Sequence, residues 1–200
     1  MKNKFDFILI KPQLGENIGA CARSLKNFGF SKLSIVSPKQ SWPNNKAKAT
    51  SVGAYDIIKK AKIYDNTRDA ISNFNIVISF SARKRDINKK HISINQFLKM
   101  IKLKKNTKFG LMFGPEASGL SNDDLSLSNY ILQIPTSKKF KSLNLSHSLS
   151  IICYEIFKFE NFSKFEKNTK NIKISSKRKI SSLVLHLKKL LEKKGFFVPT

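Results

Sequence analysis

The sequence of residues 113–120 is Phe113-Gly114-Pro115-Glu116-Ala117-Ser118-Gly119-Leu120, and it directly follows an apolar run that begins at residue 109. A short apolar run that ends in glycine and proline is typical of a buried β-strand. The two glycines let the following backbone approach another group closely, and Glu116 adds one carboxylate beside the rigid Pro115. The pattern predicts a strand followed by a ligand-binding loop. The alternative is a tight turn in which Glu116 stabilises the next helix.

Two further clusters have the same arrangement, in which small residues and one or two polar groups follow an apolar run. The first is Asn17-Ile18-Gly19-Ala20-Cys21-Ala22-Arg23, after the run 5–10, and the second is Ser142-Leu143-Asn144-Leu145-Ser146, after the run 130–134. Each cluster also suits an ordinary helix start, capped by Asn17 in the first case and by Ser142 or Asn144 in the second. Both interpretations stay open when each cluster is taken alone.

The first 159 residues alternate between strand and helix patterns. Predicted strands cover residues 5–10, 33–36, 76–80, 109–113 and 130–134. Predicted helices cover residues 17–28, 48–58 with a break near Gly53, 66–74, 93–101, 121–127 and 143–159. Such alternation predicts an α/β fold, a mostly parallel sheet with helices on both faces. Ligands bind such sheets outside the carboxyl ends of the strands, and all three clusters fall at such ends.

Three segments differ in composition. Residues 1–159 predict one domain, and residues 160–176, which are polar and lack any period, predict a linker. Residues 177–200 predict a basic amphipathic C-terminal helix, because apolar residues recur there at helical spacing and basic residues occupy the other face. The apolar stripe consists of Ile180, Leu183, Val184, Leu187, Leu190 and Leu191. Packing on the same subunit and packing on a partner both stay open for this stripe.

The charge balance is strongly basic. The chain has 38 Lys and Arg against 13 Asp and Glu, which gives a net charge of +25 over 200 residues. Such an excess predicts a polyanionic partner, and nucleic acid is the usual one. A competing explanation is compositional, because a chain rich in Lys, Asn, Ile and Phe can also arise from an AT-rich genome.

Several other classes of protein are disfavoured. No apolar run is long enough to span a bilayer, and the N-terminus lacks the features of a signal peptide, so we expect a cytoplasmic protein that does not bind membranes. Cys21 and Cys153 lack the spacing of a metal site and predict small buried thiols. The three histidines, His91, His147 and His186, are scattered, and no metal is expected. A nucleotide-binding oxidoreductase is disfavoured because the glycine fingerprint is absent.

In their order and residues, the three clusters resemble the motifs of the SPOUT superfamily of RNA methyltransferases, in its TrmH-like 2'-O-methyltransferase branch. The resemblance implies a deep C-terminal trefoil knot, S-adenosyl-L-methionine as cofactor, and a homodimer with a contact at Leu149 to Ile156. The implied catalytic residues are Arg23, Asn17, Glu116, Ser142 and Asn144. The implied cofactor-binding residues are Phe80, Ser81, Ala82, Gly114, Ile134, Ser142 and Leu143.

Two more stretches narrow the resemblance to the TrmJ group. They are Val52-Gly53-Ala54-Tyr55-Asp56-Ile57-Ile58 and Ile78-Ser79-Phe80-Ser81-Ala82-Arg83-Lys84-Arg85. This group methylates the 2'-hydroxyl of the pyrimidine at tRNA position 32, so tRNA is the implied partner. One alternative is a sibling enzyme that acts at another tRNA position or on rRNA. Another, from a different class, is a non-catalytic RNA-binding protein on the same scaffold.

The implied reaction needs activation of a ribose hydroxyl, which is a poor nucleophile at neutral pH. The site must hold the hydroxyl in line with the methyl group and stabilise the developing alkoxide. Because a guanidinium stays protonated at any ordinary pH, we expect Arg23 to bind the adjacent phosphate and to orient the hydroxyl. Action as a general base would need a strongly perturbed environment around Arg23.

Overall fold

The computed structural model describes residues 2–82, 88–104, 106–165 and 175–197. The chain divides into two compact units, residues 1–161 and residues 162–200. The strands are β1 Phe5–Ile10, β2 Leu33–Val36, β3 Lys62–Tyr64, β4 Ile76–Phe80, β5 Lys90–Ile92, β6 Phe109–Phe113 and β7 Tyr130–Leu132. The helices are α1 Gly15–Asn27, α2 Asn45–Thr50, α3 Tyr55–Lys60, α4 Thr67–Ile71, α5 Ile94–Leu103, α6 Asn122–Ser126, α7 Leu145–Phe165 and α8 Lys177–Lys193. In the described part of the chain, none of the helices has the length and apolar character needed to cross a bilayer.

The strands form one seven-stranded sheet in the order β3-β2-β1-β6-β4-β7-β5, and the pairings between neighbours are parallel. This confirms the predicted mostly parallel sheet. The predicted strands form its centre, whereas β3 and β5 occupy the two edges. The sequence does not predict these edge strands because each has only three residues. In both strands, two of the three residues are exposed. Neither strand therefore shows an apolar run.

Helices cover both faces of the sheet, which confirms the predicted α/β class. On one face, Phe5, Phe7 and Leu9 of β1 belong to a core shared with α1, α3, α5 and α7. On the other face, Ile8 and Ile10 belong to a core shared with α4 and α6. Successive side chains of a strand point to opposite faces, so β1 contributes to both cores. A strand buried on both faces is an unbroken apolar run, as is usual in parallel sheets.

The register places the carboxyl ends of four strands in one row. Leu9 of β1 pairs with Phe113 of β6, Phe113 pairs with Phe80 of β4, and Phe80 pairs with Leu132 of β7. The loops after these strands therefore begin side by side. The three clusters identified in the sequence follow β1, β6 and β7, so the sheet brings them to one edge.

Residues 45–60 form two short helices, which confirms the predicted break near Gly53. α2 ends at Thr50 and α3 begins at Tyr55. Between them Gly53 has φ +76°, a left-handed conformation that favours glycine.

α7 is longer than predicted, and its apolar face is covered by the chain itself. It continues to Phe165, past the predicted end at residue 159 and into the predicted linker, because residues 160–165 contain no glycine or proline. Leu149, Ile152, Cys153 and Ile156 are fully buried in the core. The apolar face of the helix from Leu149 to Ile156 was expected to form the contact between subunits, and this expectation is wrong because the face is buried within the chain.

The second unit contains the helix predicted in the C-terminal segment. α8 ends at Lys193, shortly before Gly195 with φ +67°. Residues 166–174 of the predicted linker, residues 198–200, and the basic residues Arg83, Lys84 and Arg85 lie outside the described residues. The trefoil knot stays a prediction.

Candidate active site

A cavity of about 570 Å³ opens at the carboxyl ends of β4, β6 and β7. Small-molecule sites commonly have volumes of roughly 300–1,000 Å³. The rings of Phe80 and Phe113 stack in its wall with centroids 4.5 Å apart. The lining residues are Phe80, Ser81, Ala82, Phe113, Gly114, Pro115, Glu116, Ala117, Ser118, Gly119, Gln133, Ile134, Lys141, Ser142, Leu143, Leu145 and Ser148. Every residue predicted to bind the cofactor is among them.

Close backbone packing shapes the loop after β6. A Cβ atom added to Gly114 would lie 2.3 Å from the backbone nitrogen of Leu120, so only glycine fits at this position.

The loops after β4 and β7 are joined by Gln133, whose Nε2 donates a hydrogen bond of 3.0 Å to the carbonyl of Ala82. Gln133 carries no sequence signal, because its partner lies in a loop that is distant along the chain.

Glu116 joins the first cluster to the second. Its Oε2 accepts a hydrogen bond of 2.8 Å from the Gln13 backbone N–H. Its Oε1 accepts one of 3.3 Å from the Leu14 N–H and one of 2.7 Å from Asn17 Nδ2. In return, the Ala117 N–H donates to Gln13 Oε1 at 3.0 Å. The two loops are thus bonded in both directions, and Gln13 is a site residue that sequence reasoning missed.

The alternative role of Glu116, in which it stabilises the following helix, is wrong. α6 is capped by Ser121, whose Oγ accepts a hydrogen bond from the Asp124 N–H, while Asp124 accepts one from the Ser121 N–H. This is a capping box, and it completes the helix start without Glu116.

Asn144 extends these hydrogen bonds into the third cluster. Its Nδ2 donates to Asn17 Oδ1 at 3.0 Å, and its Oδ1 accepts from the Ser146 N–H at 2.8 Å and from Ser146 Oγ at 2.7 Å. Asn144 therefore caps α7, as one interpretation of the sequence predicted, and also bridges α7 to α1. Ser142 lies on the cavity wall and is exposed. The structure thus connects all three clusters through Glu116, Asn17 and Asn144.

The two cysteines are buried, as predicted. Burial raises the pKa of the Cys21 thiol, and the negative charge of Glu116 raises it further. Burial also raises the pKa of Cys153. Both thiols therefore stay protonated at neutral pH. In the ranges that the structure describes, His, Cys, Asp and Glu side chains form no group of three that could hold a metal ion.

Residues 4–154 match the model of the SpoU rRNA Methylase family. The chain belongs to this family. It is 38% identical to the tRNA (cytidine-2'-O-)-methyltransferase TrmJ of Methanocaldococcus jannaschii, over 79% of the chain and 69% of that relative. It is 30% identical to the tRNA (cytidine/uridine/adenosine-2'-O-)-methyltransferase TrmJ of Pseudomonas aeruginosa, over 100% of the chain and 81% of that relative. The solved structure of TrmJ from Z. mobilis ZM4 superposes with a TM-score of 0.73 at 31% identity, over 97% of this chain and 82% of that one.

Membership of the SpoU methylase family confirms the predicted enzyme class. The TrmJ relatives confirm that the chain resembles the TrmJ group. The chain is an RNA methyltransferase, and its cofactor is S-adenosyl-L-methionine. The cavity fits this group, because the rings of Phe80 and Phe113 offer an apolar wall to a flat base. Polar groups at Gln133, Ser142 and Ser148 lie on the same lining and suit an amino-acid moiety.

Among the predicted catalytic residues of this SpoU methylase, Arg23 alone neither lines the cavity nor takes part in the hydrogen bonds that join the three clusters. It is exposed on α1 and does not line the cavity. Within the described part of the chain, its guanidinium forms no hydrogen bond or ion pair. The next residue, Ser24, has its Oγ 2.6 Å from Ser150 Oγ of α7, so Arg23 lies on a different face of α1 from the one that packs on α7.

A second cavity of about 740 Å³ adjoins the first. Its lining residues are Glu116, Thr136, Ser137, Phe140, Ser142, Leu143, Asn144 and His147. Glu116, Ser142 and Leu143 line both cavities and form what we call the shared wall. Phe140 is 77% exposed. Phe140 belongs to none of the three motifs.

Proposed function

We propose that the chain transfers a methyl group from S-adenosyl-L-methionine to the 2'-hydroxyl of a tRNA ribose, and that this ribose belongs to the pyrimidine at position 32 of the anticodon loop. The observation that carries the proposal is the set of hydrogen bonds through Glu116, Asn17 and Asn144, which joins three separated clusters beside one cavity. Relatives named as TrmJ tRNA 2'-O-methyltransferases support it. The net charge of +25 suits a polyanionic substrate.

The first cavity would hold the cofactor. When bound, S-adenosyl-L-methionine supplies an electrophilic methyl group on a sulfonium. Because the leaving group is a neutral thioether, no acid is needed to release it. Gly114 lets the loop after β6 approach closely, because its position has no room for a Cβ atom. The residues proposed to hold the cofactor are Phe80, Ser81, Ala82, Gly114, Ile134, Ser142 and Leu143.

Activation of the ribose hydroxyl falls to polar groups of the chain. Arg23 binds the phosphate beside the target ribose and orients the hydroxyl, because a guanidinium stays protonated and serves as a cation. Ser142 lies on the shared wall, between the proposed cofactor site and the second cavity. Asn17, Glu116 and Asn144 bond to one another, so their proposed role is to position the loops around the reacting groups.

The proposed active form is a homodimer in which Arg23 of one subunit completes the cavity of the other. Its support is the placement of Arg23, which is exposed and lies outside the cavity of its own chain. The buried face of α7 cannot form the contact between subunits. An aromatic surface remains available, since Tyr154 and Phe159 of α7 are exposed and Phe28 packs against Tyr154.

The family also supports two further proposals. The methyltransferase domain would end with α7. The segment before α7 would pass through a loop to form the trefoil knot. The enzyme would act in the cytoplasm, where tRNA is available to it. The helix α8 is itself basic, and its positive charge would also suit a polyanionic substrate.

A sibling methyltransferase is the second candidate. The matched family model is named for rRNA methylation. A relative from Haemophilus influenzae, 32% identical over 78% of this chain and 64% of its own length, is called an uncharacterized tRNA/rRNA methyltransferase. Both names leave room for another tRNA position or for rRNA, so the identity of the methylated nucleotide is what an experiment must decide.

The test is methyl transfer from labelled S-adenosyl-L-methionine to bulk tRNA from a strain that lacks the position-32 enzyme, followed by mapping of the modified ribose. A methyl group at position 32 supports the whole proposal. A methyl group elsewhere, or transfer to rRNA alone, moves the enzyme to the sibling group. No transfer to either RNA, with normal cofactor binding, favours a non-catalytic RNA-binding protein.

A further inference from the structure

We propose that the second cavity is a nucleotide pocket in which Phe140 stacks on the base of the methylated nucleotide. Lys138, Lys139 and Lys141, which belong to the same loop as Phe140, bind the phosphates on either side of that base; Lys141 lines the first cavity. The inference rests on the proposed function, because the nucleotide is the RNA substrate of that reaction.

The shared wall gives the first argument. Methyl transfer needs two ligands whose reacting atoms meet, and the two cavities share Glu116, Ser142 and Leu143. With the cofactor in the first cavity, the second is the space from which a ribose can reach the methyl group. Its further lining includes side chains that can hydrogen-bond to the edge of a base, namely Thr136, Ser137 and His147.

The exposure of Phe140 gives the second argument. Its side chain is 77% exposed, whereas Phe7 and Phe113 of the sheet are almost fully buried. Among the described residues, no aromatic ring stacks on Phe140. An exposed ring on the wall of a cavity is a surface on which a nucleic-acid base stacks.

Three lysines are neighbours of Phe140 in the sequence and give its loop a strong positive charge. Lys138, Lys139 and Lys141 are exposed, and none of them forms an ion pair with a described residue. The loop is shaped by its backbone: the Lys139 N–H donates to Ser137 Oγ at 3.3 Å, and Thr136 Oγ1 donates to the Lys141 carbonyl at 3.4 Å. The ammonium groups are therefore available to a ligand. Three cations on the loop that carries Phe140 suit successive phosphates of a strand rather than a free mononucleotide.

A base that enters this pocket must be unpaired, because a paired base presents no free face to an aromatic side chain. The pocket therefore selects a nucleotide in a single-stranded loop. Binding of a nucleotide in the second cavity also gives each of the two cavities one reactant.

The test measures RNA affinity without methyl transfer, in a double-mutant cycle. The two RNAs are a tRNA that the wild type methylates and the same tRNA without the base at the methylated nucleotide. The proteins are the wild type, Phe140→Ala and Phe140→Tyr. The matched control is Leu103→Ala, because Leu103 is an apolar side chain of similar exposure (82%) that lines neither cavity.

We expect Phe140→Ala to bind the intact tRNA about tenfold more weakly, because one stacked base is lost. Phe140→Tyr keeps the ring and should bind within about twofold of the wild type, and so should Leu103→Ala. On the tRNA that lacks the base, Phe140→Ala and the wild type should bind equally. Cofactor affinity of Phe140→Ala should equal that of the wild type.

Three outcomes would refute the proposal that the second cavity is a nucleotide pocket. They are unchanged binding of intact tRNA by Phe140→Ala, a loss that persists on the tRNA lacking the base, and a loss of cofactor affinity that accounts for the defect. A wild type that methylates tRNA but shows no coupling between Phe140 and the base refutes only the pocket. A wild type that neither binds nor methylates tRNA refutes the proposed function, and the pocket with it.

Discussion

The first and third turns of α1 belong to one short helix, yet the chain uses their polar side chains in opposite ways. Asn17 in the first turn is 8% exposed, and its amide bonds to both Glu116 and Asn144. Arg23 in the third turn is exposed and has no hydrogen bond or ion pair within the described residues. The first turn therefore holds in place Glu116 and Asn144, which line the cavities of the same chain. The third turn presents a guanidinium that is bound by none of the described residues.

This difference separates two kinds of contribution to function. A side chain that is bonded on all sides holds loops in place, so its loss lowers stability and ligand affinity together. An unpaired exposed side chain contributes little to stability, and its value appears only when a substrate is present. Variants of the two turns should therefore differ in which measurement they change.

The largest effect is expected from Arg23→Ala. Methyl transfer should fall about 100- to 1,000-fold, because the cation that binds the adjacent phosphate and orients the hydroxyl is lost. Cofactor affinity and melting temperature should stay at the wild-type values, because Arg23 forms no hydrogen bond or ion pair with the described residues. Single-turnover rates and calorimetry measure these quantities. Transfer at a near-wild-type rate would remove Arg23 from the mechanism.

Mixed dimers sharpen this prediction. Arg23→Ala and Gly114→Ala should each be inactive, the second because a Cβ at Gly114 meets the Leu120 backbone at 2.3 Å. If Arg23 acts across the dimer, mixing the two variants restores activity at one site of each mixed dimer, which keeps an intact cavity and the partner's arginine. No recovery after subunit exchange would place Arg23 at the cavity of its own chain.

The next largest effect concerns Asp6 of β1, the strand that leads into α1. Asp6 is 8% exposed and its Oδ1 has no hydrogen-bond partner in the described structure. Burial raises its pKa from 3.8 to about 6, against the opposing effects of Ser34, Lys32 and Lys62. Between these two pH values the carboxyl group is ionised mainly in the unfolded chain. Stability should therefore fall as the pH rises through this window, by up to about 3 kcal/mol.

Asp6→Asn tests this expectation by removing the ionisable group. The difference in unfolding free energy between the variant and the wild type, from urea titrations at several pH values, should grow from pH 4 to pH 6 and then level off. The variant should be the more stable protein at pH 7. Parallel pH profiles for the two proteins would show that Asp6 does not titrate in this window.

Glu116→Gln should have a smaller effect on stability, about 2 kcal/mol. The carboxylate accepts hydrogen bonds from Gln13, Leu14 and Asn17, and an amide group cannot accept all of them. Because the loop it holds lines the first cavity, cofactor affinity should fall with stability, by about tenfold. Chemical denaturation and calorimetry measure the two changes. A loss of transfer with stability and cofactor affinity intact would instead make Glu116 a catalytic residue.

The smallest effect is expected from Lys26→Ala, in the same turn of α1 as Arg23. Lys26 forms an ion pair of 2.7 Å with Asp56, but both side chains are about half exposed. Surface pairs of this kind contribute little to stability, because solvent screens the two charges. Methyl transfer should stay near the wild-type rate, which makes this variant the matched control for Arg23→Ala. Equal losses of transfer in the two variants would show that α1 contributes general positive charge and not a specific group.

Much of the site was predictable from local pattern. Strands end where apolar runs meet glycine, proline or polar residues, and parallel strands place their carboxyl ends at one edge. The clusters around Asn17, Gly114 and Asn144 therefore meet where the sequence predicts. The Gly53 break and the capping box at Ser121 are local features too, and both are present in the structure.

What escaped prediction depends on distant partners. Gln13 and Glu116 are 103 positions apart, so no window along the chain shows that they bond. The apolar face of α7 is evident in the sequence, but a stripe does not reveal whether the chain or a second subunit covers it. The role of Phe140 depends on a cavity that only the folded chain creates.

The hydrogen bonds that close the site also bear on the order of folding. Glu116 and Asn17 are 99 positions apart, and Asn144 and Asn17 are 127 apart. Contacts of such separation form only after long loops have closed, which is the slow part of folding in parallel sheets. A growing chain that has not yet reached residue 144 cannot complete the site. Cofactor binding would therefore report that the methyltransferase unit has finished folding, and the bound cofactor would stabilise the finished unit as a whole.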